Sequence, residues 1–235
     1  MENGRPLQTS YSFNETFYKA KHSIASKMSA RIPPLIQPYL SLPPESSLVL
    51  LTSVLGASAN WLVLRYLQEL LKPASALQNN HEHVSIFLVS FLRDFSFWKD
   101  GSSRLGLDLE AAAQRGLFKY LDGLQVLVCS NEDRRYNPIV PETTSGWRQP
   151  LQSQSLVAIA NRIKEGLMHL KRAPLTGFDK GHSLEPKKVV LVLDGLDLLL
   201  ATLESPRQDG EETLIAFRDM LIDMREVSST GSGTS

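Results

Sequence analysis

Two hydrophobic patterns alternate along the chain: short unbroken apolar runs, and longer stretches whose apolar residues recur at helical spacing. The segment from Ser46 to Lys72 carries both. Ser47 to Thr52 is an apolar run with β-branched Val49, the length of a buried strand, and Gly56 marks a turn after it. Arg65, Gln68, Glu69 and Lys72 then fall on one helical face. Trp61, Leu62, Leu64, Tyr66, Leu67, Leu70 and Leu71 cover the rest, which predicts a mostly buried helix that Pro73 ends. Val84 to Phe91 reads as a second buried strand. Asp94 to Leu105 is weakly helical, anchored by Phe95, Phe97, Trp98 and Leu105 and broken by Gly106. Asp108 to Arg115 is a short helix that Asp108 caps and Gly116 ends. Leu117 to Leu121 is a third strand, turned at Asp122-Gly123. Val126 to Cys129 reads as a short fourth strand or as buried coil, and Ser130 to Pro150 as a polar, turn-rich, mobile loop. Ser153 to Lys171 is a helix with Leu156, Val157, Ile159, Ala160, Ile163, Leu167 and Leu170 inward. After a loop from Ala173 to Pro186, Lys187 to Asp194 is the clearest strand, whose unbroken apolar run predicts a central parallel strand covered on both faces. Leu196 to Leu203 and Glu211 to Val227 read as helices, separated by a break from Ser205 to Gly210.

Strands alternating with helices imply βαβ units and a mostly parallel sheet flanked by helices. The right-handed crossover rule narrows the layout to doubly wound or RecA-like. Residues 1–30 are polar and unpatterned, and are expected to be a disordered or loosely helical extension, with Met28 just before the first patterned segment. Met1 to Lys27 is expected to be dispensable for partner binding. Arg31 to Glu45 holds Pro33, Pro34, Pro38, Pro43 and Pro44, and so is extended or turned rather than helical. Residues 31–227 form the expected domain, and the Gly/Ser/Thr-rich residues 228–235 a disordered tail. A RecA-like sheet carries further strands beyond a central strand such as Val189 to Leu193. The C-terminal strands are therefore expected to be missing, and the chain alone to be aggregation-prone or partly folded.

The 235 residues suffice for one α/β domain with a real core, and 42% apolar with 21% charged is ordinary for a globular protein. A formal net charge of zero excludes a general attraction to nucleic acid, leaving only local basic patches. The single cysteine, Cys129, excludes an internal disulfide framework and fits a reducing compartment. No apolar run approaches the roughly 20 residues of a membrane span.

A strand, a glycine turn and a helix are the setting that a phosphate-binding loop requires. Fitting G-x-x-x-x-G-K-[ST] to end at Asn60 puts Ser53 and Ser58 at the glycines, Ala59 at the lysine and Asn60 at the magnesium-binding hydroxyl. The loop chemistry is missing. Gly56 and the helix N-terminus after it could attract an anion weakly, and packing of a tight turn explains Gly56 equally well. Asp194 ends an apolar strand, where P-loop ATPases place a magnesium-associated acid. Without a competent loop opposite, a cap or a structural hydrogen bond is the favoured role, and Asp197 is an alternative cap for the next helix. His81-Glu82-His83 lies in a loop without a third ligand, and His22, His169 and His182 stand alone, so no metal site is expected. Basic spots at Arg134-Arg135-Tyr136, Arg148, Lys171-Arg172 and Lys187-Lys188 read as RNA contacts or, preferably, as ordinary solvated charge.

Three stretches together resemble the Elongator complex protein 6 family in its fungal form: RIPPLIQPYLSLPPESSLVLLTSVLGASANWLVLRYL, VSIFLVSFLRDFSFWKDGSSRLGLDLEAAAQRGLFKYLDGL and KKVVLVLDGLDLLLA. They carry F-x-x-x-x-x-x-R-x-G-x-x-L from Phe97, R-G-x-x-x-x-L-D-G-L from Arg115, and the apolar strand ending in Asp194. The resemblance spans roughly Arg31 to Arg225. It implies a RecA-like subunit without intact Walker motifs, non-enzymatic and without a cofactor or metal. It further implies a heterohexameric ring with Elongator subunits four and five that binds tRNA and supports wobble-uridine modification, in the cytoplasm and also the nucleus. The radical and acetyl chemistry would belong to another subunit. The competing readings are a divergent stand-alone P-loop ATPase and an unrelated α/β adaptor.

Overall fold

The computed structural model describes residues 34–40, 44, 47–54, 56–71, 84–128, 146–172, 188–203 and 210–229. The expected N-terminal extension, the loops at 73–82 and 173–186, Lys187, Cys129, His81, His83, Arg134, Arg135 and Tyr136 lie outside them. In chain order the elements are α1 (Asn60–Leu71), β1 (Val84–Ser90), α2 (Phe95–Arg104), α3 (Leu109–Gln114), β2 (Phe118–Asp122), α4 (Leu124–Val128), β3 (Arg148–Pro150), α5 (Leu156–Arg172), β4 (Lys188–Asp194), α6 (Leu196–Leu203) and α7 (Gly210–Ser229). A short 3-10 turn, Gln37–Leu40, precedes them. The fold is α/β: four strands, all parallel, in the order β3-β2-β1-β4, flanked by helices.

β1 has apolar residues on both sides and is covered on both. Ile86 and Leu88 point to a cluster with Leu67, Phe95, Trp98, Leu109, Phe118 and Tyr120, supplied by α1, α2, α3 and β2. Phe87, Val89 and Phe91 point the other way, into a cluster with Val126, Ile159, Ile163, Leu167, Leu199 and Met220 from α4 to α7. The local signals agree with these boundaries. Asp94 and Asp108 cap α2 and α3, accepting from Phe97 N and Ala111 N at 3.0 Å each, and Gly106 and Gly116 take positive φ just past those helices. Lys119 on β2 is buried, with its ammonium 5.9 Å from the Phe87 ring centroid. Burial, and then the neighbouring Arg162 charge, lower its pKa.

Several expectations are corrected. Ser47 to Thr52 forms no strand. Leu48 and Leu50 are 78% and 80% exposed, and among the described residues the only pairing nearby is a Val54–Ala57 bridge around Gly56. A strand exists only when a neighbour takes its N–H and C=O groups, and among the described residues none does so here. Among the described residues β4 is an edge strand rather than a central one, and every residue in it is only partly buried. Its apolar run is accounted for by cover on two faces, which is separate from pairing on two edges. Leu124–Val128 is helical, because Asp122 caps it by accepting from Leu124 N at 3.2 Å. β3 lies inside the segment read as a loop. It has no apolar run and is held by Tyr120 N donating to Trp147 O and Leu151 N to Asp122 O, both 2.8 Å. Pro150 lacks an N–H and fits an outer strand. Gln68, assigned to a polar face, is buried and donates to Leu105 O at 2.7 Å. Val157, assigned inward, is 70% exposed, and α7 extends into the expected tail as far as Ser229.

α5 approaches the sheet at Gly166, where a Cβ would lie 2.5 Å from Phe87 Cε1 and Cζ. Gly166→Ala is therefore expected to destabilise the fold by about 1–3 kcal/mol in denaturant unfolding, and Phe87→Leu in that background to recover part of the loss. An unchanged midpoint for Gly166→Ala would show that α5 does not sit this close to β1.

Candidate functional site

In an open parallel sheet, ligands bind outside the carboxyl ends of the strands, where the order of connection reverses. Here the chain runs from β1 outward through β2 to β3, then returns to the other side of β1 as β4. The reversal lies between β1 and β4. Their carboxyl ends diverge: β1 leads to α2 on one face, and β4 leads to α6 on the other.

The strands end in one polar row. Ser90 is in register with Asp122 of β2 on one side and with Asp194 of β4 on the other. The Ser90 hydroxyl donates to Asp194 Oδ2 at 2.7 Å and accepts from Arg93 N at 3.0 Å. Tyr120 Oη donates to Arg93 O at 2.8 Å, tying β2 to the same turn. Arg148 stacks over Phe95 at 5.1 Å, next to Asp94 and Asp122. Burial raises the pKa of Asp194, against the opposing effects of the Ser90 hydrogen bond and Arg93. Burial also raises that of Asp122, against hydrogen bonds from Gln125 and Leu124 and the charge of Arg148. The Tyr120 phenol is held neutral chiefly by burial and then by the Asp122 charge. Asp94 moves the other way, lowered first by its hydrogen bond from Ser96.

The turns after β1 and β4 touch at the start of this row: Gly195 has φ +74, and a Cβ there would meet Leu92 Cβ at 2.7 Å and Leu92 N at 2.9 Å. Among the described residues no group of three or more His, Cys, Asp or Glu converges as a metal-ligand set.

The phosphate-loop positions form no matching half-site. Ser53, Gly56 and Ser58 are exposed, and Ala59 and Asn60 are partly so. Gly56 has φ +85, so the tight turn is real. Ser58 Oγ accepts from Asn60 N at 3.2 Å, using one of the N–H groups that an anion would need. Among the described residues Asp194 is bonded to Ser90, attracted by Arg93 and repelled by Asp197, none of them from residues 53–60. Asp197 stands inside the first turn of α6 and not at its cap. Of the basic spots, Lys171 donates to Val227 O at 2.6 Å and Arg148 covers an aromatic ring, so both have structural work. The sequence reading found Asp194 but missed Ser90, Asp122, Tyr120 and Arg93. The available signal was positional: each apolar run of the three longer parallel strands ends in Ser or Asp.

Comparison of the chain with family models, curated proteins and solved structures finds no match. Among the described residues no helix is long and apolar enough to cross a membrane.

Raised carboxyl pKa values mean that the folded protein keeps protons that the unfolded chain has lost, so these groups make stability fall as pH rises. The window opens at the ordinary 3.8 and closes at the raised values of Asp122 and Asp194. Asn can replace either acid as a hydrogen-bond acceptor. The Asp122→Asn/Asp194→Asn variant is expected to lose this downward slope in melting temperature. Parallel pH profiles for variant and wild type would refute the assignment.

Proposed function

We propose that this chain is a non-catalytic, RecA-like subunit of the accessory ring of the Elongator complex. In this reading it assembles with Elongator subunits four and five and supports wobble-uridine modification through tRNA binding by the assembled ring. The proposal rests on the combination of motifs from Arg31 to Arg225, and the parallel sheet with helices on both faces is compatible with it. The observation that carries the non-catalytic part is the Asp194–Ser90 bond beside the Leu92–Gly195 contact. An acid that organises magnesium must reach outward to water. Asp194 is half-buried, and its carboxylate is turned to the neighbouring strand by the Ser90 hydrogen bond instead. Ala59 and Asn60 lack the ammonium and the hydroxyl that a nucleoside triphosphate with magnesium requires.

Reconstitution with the two paralogous subunits tests the reading. Stoichiometric co-purification of the three chains, with tRNA retained by the assembly and not by this chain alone, is the expected result. Failure to bind either paralogue would sink the proposal and favour an unrelated α/β adaptor.

A further inference from the structure

Lys119 is 5% exposed, and a lysine this buried needs an acceptor or an anion to offset its lost hydration. Among the described residues it has neither. No oxygen accepts a hydrogen bond from its ammonium, and no carboxylate lies within ion-pair reach. The ammonium stands over the Phe87 ring, 5.9 Å from the centroid, at the outer limit of a cation–π contact. The polar side-chain atoms enclosed without a partner are Arg93 Nε, Trp98 Nε1 and Ser102 Oγ. The Lys119 nitrogen is not among them, so a narrow opening to solvent reaches it.

The register fixes its surroundings. Lys119 is opposite Phe87 of β1 and shares the face of β2 that carries Leu121, which α5 covers with Ile159 and Ile163. Gln149 of β3 is in register with Leu121 and lies on that face too. Arg162 of α5 donates to Gln149 Oε1 at 2.9 Å and to Glu165 Oε2 at 3.0 Å. Burial first, and then the Arg162 charge, hold the Lys119 pKa below the usual 10.5, against the charge of Glu165. The other charges nearby are directed elsewhere. Lys164 of α5 is paired with Asp223 at 2.8 Å, and Arg148 is in register with Tyr120 on the opposite face of the sheet. β1 offers only Phe87 and Val89 on this face. Two cations thus stand with one carboxylate, and one positive charge is left over in a place with little water.

We infer that Lys119, with Arg162 beside it, binds a small monovalent anion of the chloride class between β2 and α5. The anion supplies the acceptor that the ammonium lacks, and its single charge balances the cluster. A doubly charged oxyanion would overshoot that balance, and the narrow access to a side chain 5% exposed suits an ion without substituents. The bound anion favours the charged form of Lys119, so anion binding and protonation reinforce each other. This inference stands on β2, β3 and α5 and does not depend on the function proposed above.

The full chain is titrated with sodium chloride against sodium gluconate at constant ionic strength, and followed by chloride NMR line width and by melting temperature. The expected result is a saturable broadening and a rise in melting temperature that gluconate, too large for the site, does not give. Lys119→Met, which keeps the length of the side chain and removes its charge, is expected to lose both responses while keeping its circular dichroism. Glu165→Gln, which removes the negative charge from the cluster, is expected to lower the half-saturating chloride concentration about tenfold. In the wild type the response is expected to fade toward alkaline pH as Lys119 loses its proton, a readout that needs no variant. Three results would overturn the inference: chloride and gluconate acting alike on the wild type, Lys119→Met still responding to chloride, or Glu165→Gln binding it more weakly.

Discussion

β1 has to be covered twice. Its residues alternate between two faces, and all but Val84 are buried. Burying one large apolar side chain contributes on the order of 1.5–3 kcal/mol, while ordering one backbone residue costs about 1–2 kcal/mol. A strand covered on one face only would gain from half of its side chains. The rest of the structure follows from this demand. α1 to α3 close one side, α4 to α7 close the other, and α5 comes close enough that Gly166 is the residue facing Phe87. The neighbours β2 and β4 take the backbone groups of β1 on its two edges.

The same arrangement sets the polar row at the carboxyl ends of the strands. Strands on both sides of β1 force a reversal in the chain, and the reversal puts Ser90, Asp122 and Asp194 in one row at the carboxyl ends. Each of the three is engaged locally. Ser90 links Asp194 to Arg93, Asp122 starts α4, and Tyr120 holds the Arg93 carbonyl. Burial raises the pKa of both acids, and hydrogen bonds from Ser90 to Asp194 and from Leu124 to Asp122 oppose that rise. The row acts as a polar clasp between strands.

Much of the fold was legible from sequence because face burial leaves a periodic trace. β1, β2, β4, α1, α5 and α7 lie close to where their patterns put them, and Asp94 and Asp108 announced two helix starts. What periodicity does not encode is pairing. Lys188–Asp194 looks central although among the described residues it is an edge, and Ser47–Thr52 looks like a strand although none of them takes it up. β3 was invisible because three residues with partly exposed side chains are held by backbone bonds alone. Leu124–Val128 was ambiguous because five apolar residues fit either helix or strand, and the Asp122 cap decided it. At the site, Asp194 could be singled out by its position after an apolar run. Its partner Ser90 lies 104 residues away and becomes a neighbour only through the strand order.

The central claim is that the polar row at the carboxyl ends of the strands is a structural clasp and not a nucleotide site. Titration calorimetry of the purified chain with ATP and magnesium tests it most directly, run beside Asp194→Asn. The account predicts no magnesium-dependent heat of binding for either protein. Tight binding by the wild-type chain that requires magnesium and disappears in Asp194→Asn would contradict it.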